Sequence, residues 1–486
     1  MALRNGAATL AAFVLVTLGV SPTHSEEFAS PRFVNGVAIG VVAAGSEFTC
    51  GVLESGGVRC WGRNDVGQLG NENQIISATP GSRTQLAVRS ITSAIAVTAG
   101  GAHACALLSS GGVRCWGRNS NGQLGDGTTN NSFVPTTIAS LGTLTAQASA
   151  VSAGDQHTCA IVQNPVNLSP PSVRCWGSNA YGQLGRGTTG GDFSTPAIVP
   201  GTSGAIAVAA GGRHSCAVLA TRAVVCWGFN GNGQLGDGTT TQRNTATTAV
   251  TGINTAWVVT AGQTHSCAGL QGGGPFQCWG DNGLGRLGNG GLTPPQSLTP
   301  VSVVTPPTQW TVEQIAAGAD FACGIAHSPQ GRDVYCWGGN SAGQLGAGDF
   351  ASNPTPRIAP VPRSGSPLDN PEVITAGKDH ACALIRFSTS HRVVCWGANT
   401  YGQVGNDALK NSASPVNIAP MKCSLDIDSD GAIGLDTDWL LLARARMGLS
   451  GDAVLSDALG ANAVRKTWPD IRSYLETSCA MTNLAE

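Results

Sequence analysis

Charge is what this chain has least of. Only 12% of its 486 residues are charged, and the two signs nearly cancel, leaving a formal −2. That balance excludes the basic face that nucleic-acid binding requires. It does not signal disorder either, because 41% of the residues are hydrophobic, whereas disordered chains combine few apolar residues with high net charge. Collagen is excluded because the 67 glycines do not fall at every third position. Beyond the N-terminal region no apolar run is long enough to span a bilayer. Catalytic signatures are missing too. There is no Gly-x-Ser-x-Gly elbow, and no acid pair placed for general acid–base work stands outside one C-terminal segment. The chain reads as a binding protein and not as an enzyme.

What is present is short apolar runs punctuated by Gly, Asn, Ser and Pro, the pattern of an all-β protein rich in turns. The first residues stand apart. Arg4 gives a positive start, residues 7–20 are apolar, Pro22 breaks the run, and Thr23-His24-Ser25 offers small residues for cleavage. Residues 1–25 are expected to be a signal peptide, the apolar stretch being short for a membrane anchor. Sixteen cysteines agree with export, since the cytosol keeps thiols reduced. Secreted or periplasmic is the expected location.

Seven segments share one string. A clear copy runs Ala99-Gly100-Gly101-Ala102-His103-Ala104-Cys105, then Val113-Arg114-Cys115-Trp116-Gly117, then Asn119 and Gly122-Gln123-Leu124-Gly125. Its tryptophan recurs as Trp61, Trp116, Trp176, Trp227, Trp279, Trp337 and Trp396, at separations of 55, 60, 51, 52, 58 and 59 residues. An unequal period around an equal kernel means variable loops on a fixed supersecondary unit. Cys105–Leu108 and Val113–Trp116 read as strands of a hairpin. The asparagine after each tryptophan-glycine and the glycine three residues on fit a tight turn, both types tolerating positive φ and asparagine being able also to bond its own backbone. A unit this small cannot cover both faces of its sheet, so seven are expected to stack into a β-propeller.

This string resembles the repeat of the regulator of chromosome condensation family, over residues 33–420. The departures are Phe48 and Phe321 at the histidine, Arg286 at the glutamine and Val404 at the leucine. The resemblance implies a seven-bladed propeller. Secreted members of that family include protein inhibitors of β-lactamase, which implies an inhibitor or adhesion role with a protein partner on a propeller face. The nuclear members imply the alternative, nucleotide exchange on a small GTPase. An uncharacterised hydrolase is the remaining alternative.

Each repeat holds one cysteine pair: Cys50 with Cys60, Cys105 with Cys115, Cys159 with Cys175, Cys216 with Cys226, Cys267 with Cys278, Cys323 with Cys336, and Cys382 with Cys395. A hairpin would bring each pair onto facing strands, where a disulfide has its Cα atoms about 5.5–6 Å apart. Within-blade disulfides are therefore expected, although sequence alone leaves the connectivity open. The alternative is a metal site per blade from His103, Cys105 and Cys115. That set falls short of four zinc ligands, and two repeats have phenylalanine for the histidine. The histidines are expected instead to pack in the blade and donate to a backbone carbonyl.

After residue 420 the repeat stops. Asp426-Ile427-Asp428-Ser429-Asp430-Gly431 matches the start of a calcium loop, with Asp426, Asp428, Asp430, the carbonyl of Ala432 and Asp438 as expected ligands of one structural calcium. An apolar helix is expected over 439–447. The loop and helix resemble half of a dockerin or EF-hand, so residues 421–486 are expected to form a small α-helical calcium-binding module, with Cys423 and Cys479 as an eighth disulfide. The mature protein is expected to be a monomer with no membrane span. Contact residues are expected in the variable stretches 71–89 and 164–171.

Overall fold

Within each repeat the apolar kernel makes the inner strands and the polar remainder makes the outer one. In the second repeat Ala94–Ala99, His103–Leu108, Val113–Gly117 and Ser132–Thr137 pair as one antiparallel sheet in sequence order. The middle two strands are buried along almost their whole length. A strand covered on both faces loses the apolar–polar alternation and reads as a continuous small or apolar run, which is why these segments are rich in Ala, Val, Leu and Cys. The outer strand is only half-buried and has no partner on its far side. Proline is tolerated there, and the outer strands carry Pro135, Pro196, Pro300, Pro354 and Pro415.

Seven such blades follow one another at 42–87, 94–137, 147–198, 205–249, 256–302, 311–359 and 370–417. Six are four-stranded; in the fourth, the outer strand is reduced to isolated bridges at Arg243 and Ala249. Among the described residues the protein is all-β, with no helix, and so none long and apolar enough to cross a membrane. This computed structural model describes residues 33–34, 37–38 and 41–419, apart from 73–80, 139, 168, 273, 305–310, 329–330, 360, 362–369 and 388–389. The expected signal peptide lies outside the described residues. So does the expected calcium module, with Asp426, Asp428, Asp430, Ala432, Asp438, Cys423 and Cys479.

First strands of neighbouring blades lie side by side around an axis, and the seventh blade's meets the first's. The ring is therefore closed. Among the described residues no blade borrows a strand from the other end of the chain. The core is the set of seams between blades, where all seven repeat tryptophans are fully buried.

Candidate functional site

The cysteines sit directly opposite one another on the second and third strands of every blade. Cys50 faces Cys60, Cys105 faces Cys115, Cys159 faces Cys175, and Cys216 faces Cys226. In the last three blades Cys267 faces Cys278, Cys323 faces Cys336, and Cys382 faces Cys395. All seven pairs have sulfurs 2.01–2.10 Å apart, at disulfide distance. Their Cα atoms are 4.0–4.1 Å apart, nearer than the expected separation of about 5.5–6 Å. The reason is the register, since the closer of the two facing-pair geometries on antiparallel strands brings Cα atoms to about 4.5 Å. With the sulfurs joined in pairs, the metal alternative has no thiolate to use. No cluster of His, Cys, Asp and Glu suited to a metal occurs among the described residues.

The histidines do something other than the sequence suggested. Their acceptor is a hydroxyl of the next blade, and not a backbone carbonyl. His103 Nε2 lies 2.8 Å from Thr158 Oγ1, His157 2.8 Å from Ser215, His214 2.8 Å from Ser266, and His380 2.9 Å from Thr49. Each hydroxyl donates onward at 2.9 Å to the carbonyl of Gln123, Gln183, Gln234 or Gln403. With its proton spent there, the hydroxyl must accept from Nε2–H, while Nδ1 of each of these rings is buried without a partner. Burial keeps these rings neutral. His103, His214 and His380 are pushed down to about 3 and His157 to about 4. The same carbonyls also accept the next blade's indole N–H, from Trp61, Trp176, Trp227 and Trp279, at 2.8–2.9 Å.

The phenylalanine repeats complete the pattern. Phe48 precedes a blade with Ala104 at the hydroxyl position, and Phe321 precedes one with Ala381. His265 alone breaks it, facing a blade with Ala322; both its ring nitrogens are buried without a partner.

The repeat asparagine bonds the backbone with its side chain, one of the two roles expected of it, and does not use positive φ. None of the seven has positive φ. Its side chain accepts the N–H five residues on, from Asn119 to Leu124 at 2.9 Å and likewise in every blade. The glycine three residues on does have positive φ, as at Gly122, 77°.

At one end of the axis a ring of glycines brings the blades together. A Cβ on Gly100 would lie 2.2 Å from the Gly154 oxygen, and one on Gly377 2.1 Å from that of Gly45. Inside the ring runs a channel of about 550 Å³, walled by Ala, Thr, Ser and Val of the first strands. Thr98, Ser152, Thr260 and Thr375 accept the N–H of an alanine in the next blade at 3.0–3.1 Å. Glu47, Arg63, Asp155 and Lys378 stand at the mouth. Burial raises the Asp155 carboxyl against the charges of Arg213 and Lys378. Burial also raises Asp379, Lys378 opposing and Asp320 and Glu47 reinforcing. This mouth is polar and charged. It brings together no nucleophile, base and orienting group.

Each of the two stretches expected to carry contacts includes strand, with 73–80 and 168 outside the described residues. Gly81–Ala87 is the outer strand of blade one, and of 164–171 only the turn between His157–Asn164 and Ser169–Ser178 is loop. What sequence reasoning missed was the Ser/Thr partner of each histidine. The signal was available, as agreement between one repeat's His/Phe and the next repeat's hydroxyl/Ala.

Comparison with known proteins gives a consistent picture. The family profile described as RCC1-like domain matches residues 16–357, and that of the regulator of chromosome condensation (RCC1) repeat matches 333–384. The ultraviolet-B receptor UVR8 of Arabidopsis thaliana is 30% identical over 335 residues, covering 67% of this chain and 70% of the receptor. The probable E3 ubiquitin-protein ligase HERC4 of Mus musculus is 33% identical over 44% of this chain, which spans only 19% of that protein. Among solved structures, yeast RCC1 (Prp20) bound to Kap60 aligns with a TM-score of 0.62 at 17% identity, covering 84% of this chain and 92% of that one. At that identity the likeness is one of fold.

Proposed function

This chain belongs to the RCC1-like domain family, and on that premise we propose that it is an exported scaffold that binds a protein partner on a propeller face, as an inhibitor or an adhesion module. The observation that carries the reading is the cysteine pair repeated in all seven blades at disulfide distance. Seven buried pairs suit an oxidising compartment outside the cytoplasm, in keeping with the signal-like segment 1–25. A protein as partner is supported by relatives. The yeast propeller is described with Kap60 bound, and with binding to Gsp1p and histones. Nucleotide exchange on a small GTPase would place the chain among cytosolic partners, where such cysteines stay reduced.

The scaffold is further proposed to be a monomer carrying one structural calcium in residues 421–486, on Asp426, Asp428, Asp430, Ala432 and Asp438. Affinity capture with the mature protein from the native envelope or medium tests the binding role. Recovery of one stoichiometric partner is expected, and repeated capture of none would sink the proposal. Chelation should lower the melting temperature if calcium is held; an unchanged Tm refutes that part alone.

A further inference from the structure

Hydroxyl groups are used in two ways in this ring. At the seams each is used twice, as Thr158 accepts from His103 and donates to the Gln123 carbonyl. In the channel each is used once. Thr98, Ser152, Thr260 and Thr375 accept an amide N–H of the next blade, and none of the four donates to any group among the described residues. A hydroxyl carries one donor beside its acceptor lone pairs, so four O–H protons are left for the channel. Ring closure does not require them. The corresponding residues of blades one, four and six are Ala43, Ala209 and Ala316, and those blades meet their neighbours without a hydroxyl.

The mouth holds two more unspent groups. Asp155 of blade three is half-buried and Lys378 of blade seven is exposed, and both line the same cavity as the four hydroxyls. Neither side chain makes a hydrogen bond or ion pair among the described residues. Lys378 nevertheless acts on the Asp155 carboxylate through its charge. Opposite charges on non-adjacent blades thus face one another across the mouth, near enough to interact and too far apart to touch. Glu47 and Arg63 beside them are spent on each other, and Arg213 is held over the Tyr181 ring at 4.9 Å.

These groups define an occupant. It brings a cation to Asp155 and an anion to Lys378 at one end, and hydrogen-bond acceptors to the hydroxyls further in. The wall below the mouth carries no charged residue, and a buried charge without a partner is costly, so the part that enters the channel is polar and uncharged. A volume of about 550 Å³ lies within the range of small-molecule sites. We propose that the axial channel binds a free α-amino acid with an uncharged polar side chain, its ammonium on Asp155, its carboxylate on Lys378 and its side chain accepting from the channel hydroxyls.

Calorimetric titration of the full-length chain with glutamine tests this. Glutamine should bind, and N-acetylglutamine, which lacks the ammonium, should bind about tenfold more weakly. D155N should cost glutamine the same factor and cost N-acetylglutamine nothing further. Glutaminamide, which lacks the carboxylate, should stand in the same relation to K378M. Both substitutions remove side chains that have no partner in the fold, so Tm should hold. T98A/T260A gives two more seams the alanine already found in three, and it should narrow the preference for glutamine over norvaline, whose side chain is apolar, several-fold. Absence of saturable heat with glutamine overturns the proposal. So does equal binding of glutamine and its two capped forms, wild-type affinity in D155N and K378M, or an unchanged preference in T98A/T260A.

Discussion

At the scale of the residue, the His–hydroxyl–carbonyl relay explains a pattern that counting alone leaves arbitrary. A histidine is present where the next blade has Ser or Thr, and a phenylalanine where it has Ala. His265 and Ala322 are the exception, and burial with the nearby Arg286 charge holds His265 well below its ordinary range. Ala322→Ser places a hydroxyl where Ser266 stands one blade earlier, able to accept from His265 and donate to the Arg286 carbonyl. That carbonyl already takes the Trp337 N–H at 3.1 Å. The expected gain is about 1 kcal/mol, read from the shift in denaturation midpoint; a loss would show that the site has no room. The relay also fixes a pH response. The depressed histidines take up a proton on unfolding near pH 6.5 but in the fold only near 3–4. The unfolded state thus binds more protons between those values, so stability is complete above about pH 6.5 and falls as pH drops. Each histidine contributes a slope of roughly 1.4 kcal/mol per pH unit within that window. Converting one relay to the natural apolar pair, with His103→Phe and Thr158→Ala together, should lower the measured proton uptake on unfolding by one. An unchanged slope between pH 4 and 6 would remove His103 from the account.

At the scale of the element, the hairpin that carries the cysteines was the most legible part of the sequence. Its two strands follow from the apolar run on either side of a Gly-rich turn, and such a hairpin puts Cys105 and Cys115 on facing strands, where the register sets them opposite. The outer strand was much harder to see. It is Thr-, Ser- and Pro-rich because one edge faces solvent, and a loop of variable length separates it from the kernel, so segments such as Gly81–Ala87 read as loop. Asn119 and its equivalents were legible as turn residues; of the two reasons, positive φ does not apply and the side-chain bond to the backbone does, reaching five residues on to Leu124. The histidine acceptor was invisible within any one repeat, because it belongs to the next. For the hairpins themselves, closing a loop of about ten residues is worth roughly 2–3 kcal/mol in the chain-entropy model. Reduction under denaturing conditions followed by thiol capture should therefore give a protein of sharply lower Tm. Mass spectrometry of the untreated protein should find the fourteen blade cysteines unreactive. Their recovery as free thiols would remove both the stabilisation and the case for export.

At the scale of the whole molecule, the question is how a ring closes when, among the described residues, no strand is exchanged between its ends. The seam between blades seven and one repeats the devices of the other seams: Thr375 accepts from Ala44 at 3.1 Å, Thr49 links His380 to the Gln403 carbonyl, and Trp61 donates to that carbonyl at 2.9 Å. Chain connectivity is what this seam lacks. Every other pair of neighbours is tethered by a short connection, so a broken contact there re-forms at high effective concentration, whereas blades one and seven meet only through the closed ring. Two glycines isolate the difference. A Cβ at Gly154 would sit 2.4 Å from the Gly211 oxygen at an internal seam, and one at Gly377 2.1 Å from the Gly45 oxygen at the closing seam. Neither glycine has positive φ, so alanine strains contacts and not its own backbone: at both positions the Cβ meets the seam oxygen and also the ring of the same blade's histidine, His157 or His380, at a cost of about 1–3 kcal/mol for overpacking. Gly154→Ala is expected to lower global stability while leaving the exchange pattern even around the ring. Gly377→Ala should in addition raise amide exchange selectively in the first strands of blades one and seven, a sub-global opening below the global unfolding free energy. Identical exchange profiles for the two variants would mean that the ring opens at all seams alike and that tethering does not protect the other six.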